Sequence, residues 1–131
     1  MSYKLKIPEN DDIFIRARYV NDQGNTECVE FVRQATGAPK TTTWKKGKKV
    51  SDANSAEIAR GTAIATFDAD GKYPTDGFGK HAAIYLRHNE QFIQVLDQWN
   101  SQGKVRPRPI WFDRPANTKR VNDADTYYVI E

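Results

Sequence analysis

The chain has 131 residues, 20 basic side chains against 17 acidic ones, a formal charge of +3 and a single cysteine. That length reads as one domain over residues 1–131, able to bury a core without staples, and a lone cysteine excludes an internal disulfide framework. The mild positive charge permits an anionic partner without demanding one, and no run approaches the ~20 apolar residues of a membrane span.

Residues 1–12 form a polar lead-in broken by Pro8, with no apolar core segment or small-residue cleavage site, so no Sec-type signal is expected. Residues 13–20 are apolar enough to pack, either as a short helix or as a strand. Asn21-Asp22-Gln23-Gly24 is turn chemistry, and it leads into a helix. Asn25 or Thr26 can supply the N-cap oxygen, Gly37 sits where a helix end wants a left-handed residue, and Cys28, Phe31 or Val32, and Ala35 share one face. The five lysines between Lys40 and Lys49 make the densest basic patch, read as a solvated loop, with contact to an anionic substrate as the sharper alternative. Ser51 is placed to cap a short helix over 53–60. Residues 61–67 are strand-like. The loop over 68–80 opens with Asp68-Ala69-Asp70-Gly71, whose glycine comes too early for a calcium loop, so calcium is rejected there. Residues 81–86 and 91–97 read as a hairpin turning at 87–90, and Pro107 and Pro109 confine an extended stretch over 105–112 to a sheet edge. Residues 125–130 are a terminal strand. The sum is an α+β fold, one main helix packed on a mostly antiparallel sheet of five to six strands.

The chemistry gathers on Cys28. A sulfur in the first turn of a helix feels the positive end of the helix dipole, roughly half a charge, which favours thiolate over thiol. The bland alternative is a buried structural cysteine, since the residue type is often buried. The hairpin brings a partner. Closing it at 87–90 sets Leu96 and Asp97 opposite Lys80 and His81, so a carboxylate comes within reach of an imidazole. His81 follows the Gly77-Phe78-Gly79-Lys80 approach, where an imidazole can face a cleft. A base to take the thiol proton and a third polar group to fix its tautomer are what thiol catalysis requires. His88 lies in the expected turn and is read as solvated.

Thr26-Glu27-Cys28-Val29-Glu30-Phe31-Val32 resembles the cysteine-helix signature of the CHAP and NlpC-type amidohydrolases, papain-like peptidoglycan hydrolases. The segments 61–67 and 81–86 are similar to the first two barrel strands of that fold, the second opening on the family's histidine, and 95–99 resembles the stretch carrying its third polar residue. The Trp44…Gly47…Val50 spacing and the tail over 121–130 extend the likeness to small bacterial proteins related to type VI secretion amidase effectors. The resemblance implies Cys28 as nucleophile, His81 as general base and then acid, and Asp97 as the group that orients His81. Asp97 departs from the more usual Glu, Asn or Gln. It also implies the backbone N–H of Cys28 as one oxyanion donor. The second is unassigned, with Gln23 and Tyr19 as candidates, and Trp44 is read with them on the substrate side. The implied substrate is a peptidoglycan stem peptide, with no cofactor and no metal. The implied partner is a cognate immunity protein in the producing cell, with export by a type VI system into a neighbour's periplasm.

Lowering a thiol by about two pKa units is worth roughly 2.7 kcal/mol, against ~0.3–1 kcal/mol from a helix terminus, so the imidazolium must supply the larger part. A different class of reading is a non-catalytic module in which the lysine patch, with Trp44, Trp99 and Trp111, holds an anionic polymer. The weak charge and scattered aromatics argue against nucleic acid. A third is an amidohydrolase acting on a cytosolic peptide.

Overall fold

The computed structural model describes residues 2–5, 11–75 and 79–131. Positions 6–10 of the lead-in, and the Gly77-Phe78 part of the approach to His81, lie outside them. Among the described residues the regular elements are one helix, α1 (Cys28–Thr36), and six strands, β1 (Lys46–Lys49), β2 (Ala63–Thr66), β3 (Ala82–His88), β4 (Phe92–Asp97), β5 (Arg106–Trp111) and β6 (Tyr127–Ile130), with one-turn 3-10 helices between them. The strands form one sheet in the order β1-β6-β2-β3-β4-β5, antiparallel at every joint. This is the α+β architecture that the sequence implies, with six strands. Among the described residues no helix is long and apolar enough to cross a membrane.

The helix ends as read. Gly37 takes a left-handed conformation at φ 80° and its N–H bonds the carbonyl of Arg33 at 2.8 Å. Its start differs, because Glu27 occupies the cap position with no side-chain cap bond. Thr26 is buried with its hydroxyl donating to the carbonyl of Trp99, and the N–H of Asn25 closes a turn onto the Asn21 side chain. Neither expected residue therefore caps the helix. The apolar face holds, with Phe31, Val32 and Ala35 all buried.

That face lies on one side of the sheet, over Ala63, Ala65, Ala82, Ile84 and Leu96. The alanines leave room for the helix backbone, and the rings of Phe14 and Tyr19 stack around Phe31 at 6.0 and 5.1 Å. Burying one such ring is worth about 1.5–3 kcal/mol. The alternate residues Ile64, Ala83, Tyr85, Ile93, Val95, Ile110, Tyr127 and Val129 fill the opposite face with Val50, Ile58 and Ala124. A sheet covered on both sides explains the unbroken burial of β2 and most of β3.

Several expectations give way. Lys46–Lys49 is a strand rather than a solvated loop, because its backbone pairs with β6, Lys46 opposite Ile130 and Lys49 opposite Tyr128. Its side chains stay largely at the surface, so local chemistry carries no strand signal. Residues 53–60 do not form the helix expected behind Ser51. Asn54 and Glu57 spend their side chains on nearby N–H groups, holding turns instead. Residues 13–20 are neither strand nor helix beyond the single 3-10 turn of Asp11–Phe14, and Arg16 turns the chain at φ 71°.

The hairpin turns later than expected. Asn89 accepts from the N–H groups of Gln91 and Phe92, so β3 runs on to His88, with an irregularity between Tyr85 and Arg87. Leu96 therefore stands opposite Ile84 rather than His81. His88 is not a solvated turn residue. Its Nε2–H donates to the carbonyl of Ala53 at 2.8 Å, which leaves Nδ1 to accept the Tyr85 hydroxyl at 2.6 Å.

Candidate active site

Side chains two apart on a strand share a face, and diagonal neighbours on adjacent strands lie within reach of long side chains. With Leu96 opposite Ile84, Asp97 is level with Ala83, and His81 lies on its diagonal. On the other flank Asp97 pairs with Arg106, so Arg108 is diagonal too. Both arms converge on one carboxylate oxygen. Oδ2 of Asp97 lies 2.7 Å from Nε2 of His81 and 2.6 Å from Nε of Arg108. Asp97 is fully buried, and among the described residues its second oxygen, Oδ1, has no hydrogen-bond partner.

Cys28 meets this pair from the helix. Its sulfur lies 3.6 Å from the hydroxyl of Tyr73, and the imidazole of His81 and the backbone N–H of Ala82 stand near enough to shift its titration. With Nε2 of the imidazole on Asp97, Nδ1 is left for the sulfur. Burial alone pushes the thiol up, but the hydrogen bond and charge of His81, then Ala82 and Tyr73, hold Cys28 below its ordinary value. Burial likewise works against a charged His81. Asp97 and the Cys28 sulfur overcome it and raise the imidazole to about 9. Opposite shifts of this kind favour a thiolate–imidazolium pair at neutral pH.

The end of β4 ties helix and sheet together. Gln98 is fully buried, and its amide donates to the carbonyls of Tyr19 at 2.7 Å and Glu27 at 2.9 Å, while its oxygen accepts the N–H of Tyr19 at 3.2 Å. The residue before the cysteine is thus fixed to the residue after Asp97. Trp99 sets its ring edge-on to His81 at 6.2 Å and takes the Arg108 guanidinium over its face at 5.2 Å. A cleft of about 350 Å³ opens above, lined by Glu27, Cys28, Val29, Thr41, Tyr73, Lys80, His81, Trp99 and Asn100. A larger hollow of about 520 Å³ lies beside His88, Phe112 and Asp125, without the cysteine. Its size gives it no claim, since its one histidine is tied to Tyr85 and Ala53. Among the described residues no group of three or more His, Cys, Asp or Glu is placed to hold a metal ion.

A model of the protein family described as domesticated amidase effector 2 matches residues 5–130. The chain belongs to that family. A relative from Salmonella typhi, described as a type VI secretion amidase effector 2 protein, is 30% identical over 115 residues, covering 80% of this chain and 84% of the relative. A solved structure described as type 6 secretion amidase effector 2 (Tae2) superposes with a TM-score of 0.81, at 25% identity, over 98% of this chain and 94% of the other. The resemblance drawn from the cysteine helix, the paired strands and the tail leads to the same amidase effector family.

Within this family member, residues distant in sequence come together as Cys28, His81 and Asp97. Tyr19, Gln23 and Trp44, read on the substrate side, do not line the cleft. Tyr19 packs against Phe14 and Phe31, and Gln23 is exposed on the turn before the helix, its N–H on the Asn21 side chain. Trp44 is buried, with its Nε1–H on the carbonyl of Pro39, and its ring backs Tyr73 edge-on at 5.0 Å. Arg108, Gln98 and Tyr73 were not foreseen. Only the period-two spacing from Arg106 hinted at Arg108, and it needs the β4–β5 register to be read.

Proposed function

We propose that this amidase effector family member is a cysteine amidase that cuts peptide bonds in peptidoglycan stem peptides, with Cys28, His81 and Asp97 as its catalytic group. The observation that carries the reading is Cys28 and His81 side by side in one open cleft, with Asp97 on Nε2 of the imidazole at 2.7 Å. The Cys28 thiolate attacks the amide carbon, an S–C bond forms, and the carbonyl electron pair moves onto oxygen. The N–H of Cys28, one of the amides that a helix start leaves without an intrahelical partner, donates to that oxygen. The intermediate collapses as the C–N bond breaks, and the His81 imidazolium gives its proton to the leaving amine. Neutral His81 then draws a proton from the water that hydrolyses the thioester and frees the sulfur. Asp97 holds the ring by Nε2–H throughout and stabilises its charged form.

The names of the relatives support the substrate class and the biological setting. A secreted enzyme of this kind acts in the periplasm of a target cell, and a cognate immunity protein guards the wall of the producer. The chain acts as one amidase domain over 1–131. The test is mass spectrometry of muropeptides incubated with wild type and with Cys28→Ala. New cleavage products with wild type alone support the reading. Products with both proteins overturn the role of Cys28, and products with neither overturn the substrate.

A further inference from the structure

The geometry points to Tyr73 as the second oxyanion donor, its phenolic O–H acting with the backbone N–H of Cys28 on the oxygen of the tetrahedral intermediate. This rests on the cysteine-amidase reading and fills the place that Tyr19 and Gln23 leave open. Tyr73 comes from the loop between β2 and β3, lines the cleft, and brings its hydroxyl to 3.6 Å from the Cys28 sulfur. The oxygen that takes the charge lies two covalent bonds from that sulfur once the S–C bond has formed. A donor touching the sulfur therefore reaches the new charge without moving its ring. It needs only to swing its hydrogen about the C–O bond. Donors at about 2.7–3.1 Å from the developing charge are what such a site requires.

The other two groups on the sulfur are less suited. The imidazole of His81 is committed to proton transfer, and the N–H of Ala82 follows His81 in the chain and so lies on the imidazole side. Tyr73 is held from behind by Trp44, itself anchored to Pro39, so the hydroxyl is positioned before substrate arrives. Burial, then the neighbouring sulfur's charge, push the phenol well above the ordinary tyrosine range, so it remains a donor wherever the enzyme works.

The test uses Tyr73→Phe, which keeps the ring against Trp44 and removes only the hydroxyl. Two reactions at Cys28 separate the roles. Iodoacetamide alkylates the thiolate by displacing iodide, and no oxyanion forms. A small peptide aldehyde, N-acetylalaninal, adds the sulfur to its carbonyl carbon, and the π pair moves to oxygen, leaving a hemithioacetal oxyanion beside the imidazolium. Aldehyde affinity is read as protection of Cys28 from alkylation, at a pH where alkylation has reached its plateau in both proteins and the thiolate is fully formed. The expected result is a loss of aldehyde affinity in Tyr73→Phe of roughly tenfold to a hundredfold, with plateau alkylation rates unchanged. Muropeptide turnover should fall about a hundredfold in kcat with little change in KM, the size seen when one oxyanion donor is removed. Equal aldehyde affinities, or no adduct with wild type, overturn the assignment. If the aldehyde difference holds while wild type leaves muropeptides intact, the substrate reading fails and the role of Tyr73 stands.

Discussion

Asp97→Asn isolates charge from shape. In the wild type a single oxygen, Oδ2, takes Nε2–H of His81 at 2.7 Å and Nε–H of Arg108 at 2.6 Å, while Oδ1 has no partner among the described residues. An asparagine can put its carbonyl where Oδ2 stands and its amide where Oδ1 stands, so both bonds survive and only the negative charge is lost. Hydrogen bonds to charged groups are worth about 1.5–3 kcal/mol against about 0.5–1.5 for neutral ones, so the imidazolium loses on the order of 1–2 kcal/mol. That corresponds to roughly one pKa unit. Burial disfavours the charged ring, Asp97 and Cys28 raise it, and the wild-type value is about 9. On the proposed mechanism the alkaline limb of muropeptide cleavage falls near that value, where His81 is lost as general acid, and it should therefore move down by about one unit. The acid limb of Cys28 alkylation should move up, because a weaker imidazolium holds the thiolate less firmly. Turnover at the optimum should drop about tenfold, as ~1.4 kcal/mol implies. Stability moves with the same group. The contribution of a raised histidine is complete below its ordinary value, about 6.5, and is lost as pH rises through the folded value. A folded Asp97→Asn protein whose alkaline limb stays where wild type has it would refute the assignment of Asp97 as the source of that shift.

Gln98→Ala removes three hydrogen bonds from a fully buried position and leaves a cavity between β4 and the start of α1. A loss of about 2–4 kcal/mol is expected, read as a urea midpoint lowered by roughly 1–2 M. An unchanged midpoint would mean that this tie contributes nothing. Gly47→Ala puts a Cβ 2.6 Å from Cγ of Glu131 and 2.7 Å from the carbonyl oxygen of Val129. The side chain can swing away and the backbone of β6 cannot, so a cost of about 1–3 kcal/mol should appear as a Tm lower by several degrees. Cleavage at low temperature should persist, because β1 lies away from the cleft, and an unaltered Tm would show that β1 can shift freely.

How much of this was legible follows from where each signal resides. The helix was readable because Cys28, Phe31, Val32 and Ala35 repeat at its period and Gly37 ends it. It begins at Cys28 as read, but its cap was misplaced: Glu27 holds that position, and the hydroxyl of Thr26 answers to Trp99, a residue 73 positions away. β2 and the β3–β4 pair announced themselves by apolar runs, and Pro107 and Pro109 rightly put β5 at the edge. β1 was missed because four residues of Lys and Gly become a strand only when β6 supplies the partner. His81 and Asp97 were paired in the sequence from an incorrect register, and the true register joins them along a diagonal instead. Arg108, Gln98 and Tyr73 depend on contacts between elements, and nothing in their own neighbourhoods marks them.

Asp97, Gln98 and Trp99 are consecutive, and each grips a different part of the site: His81, Glu27 just before Cys28, and the buried Thr26 beside it. A one-residue insertion or deletion in this triplet would put at least one of the three grips out of alignment. What the cleft accepts is therefore more readily altered at the rim, at positions such as Thr41, Lys80 and Asn100, which line the opening outside that triplet.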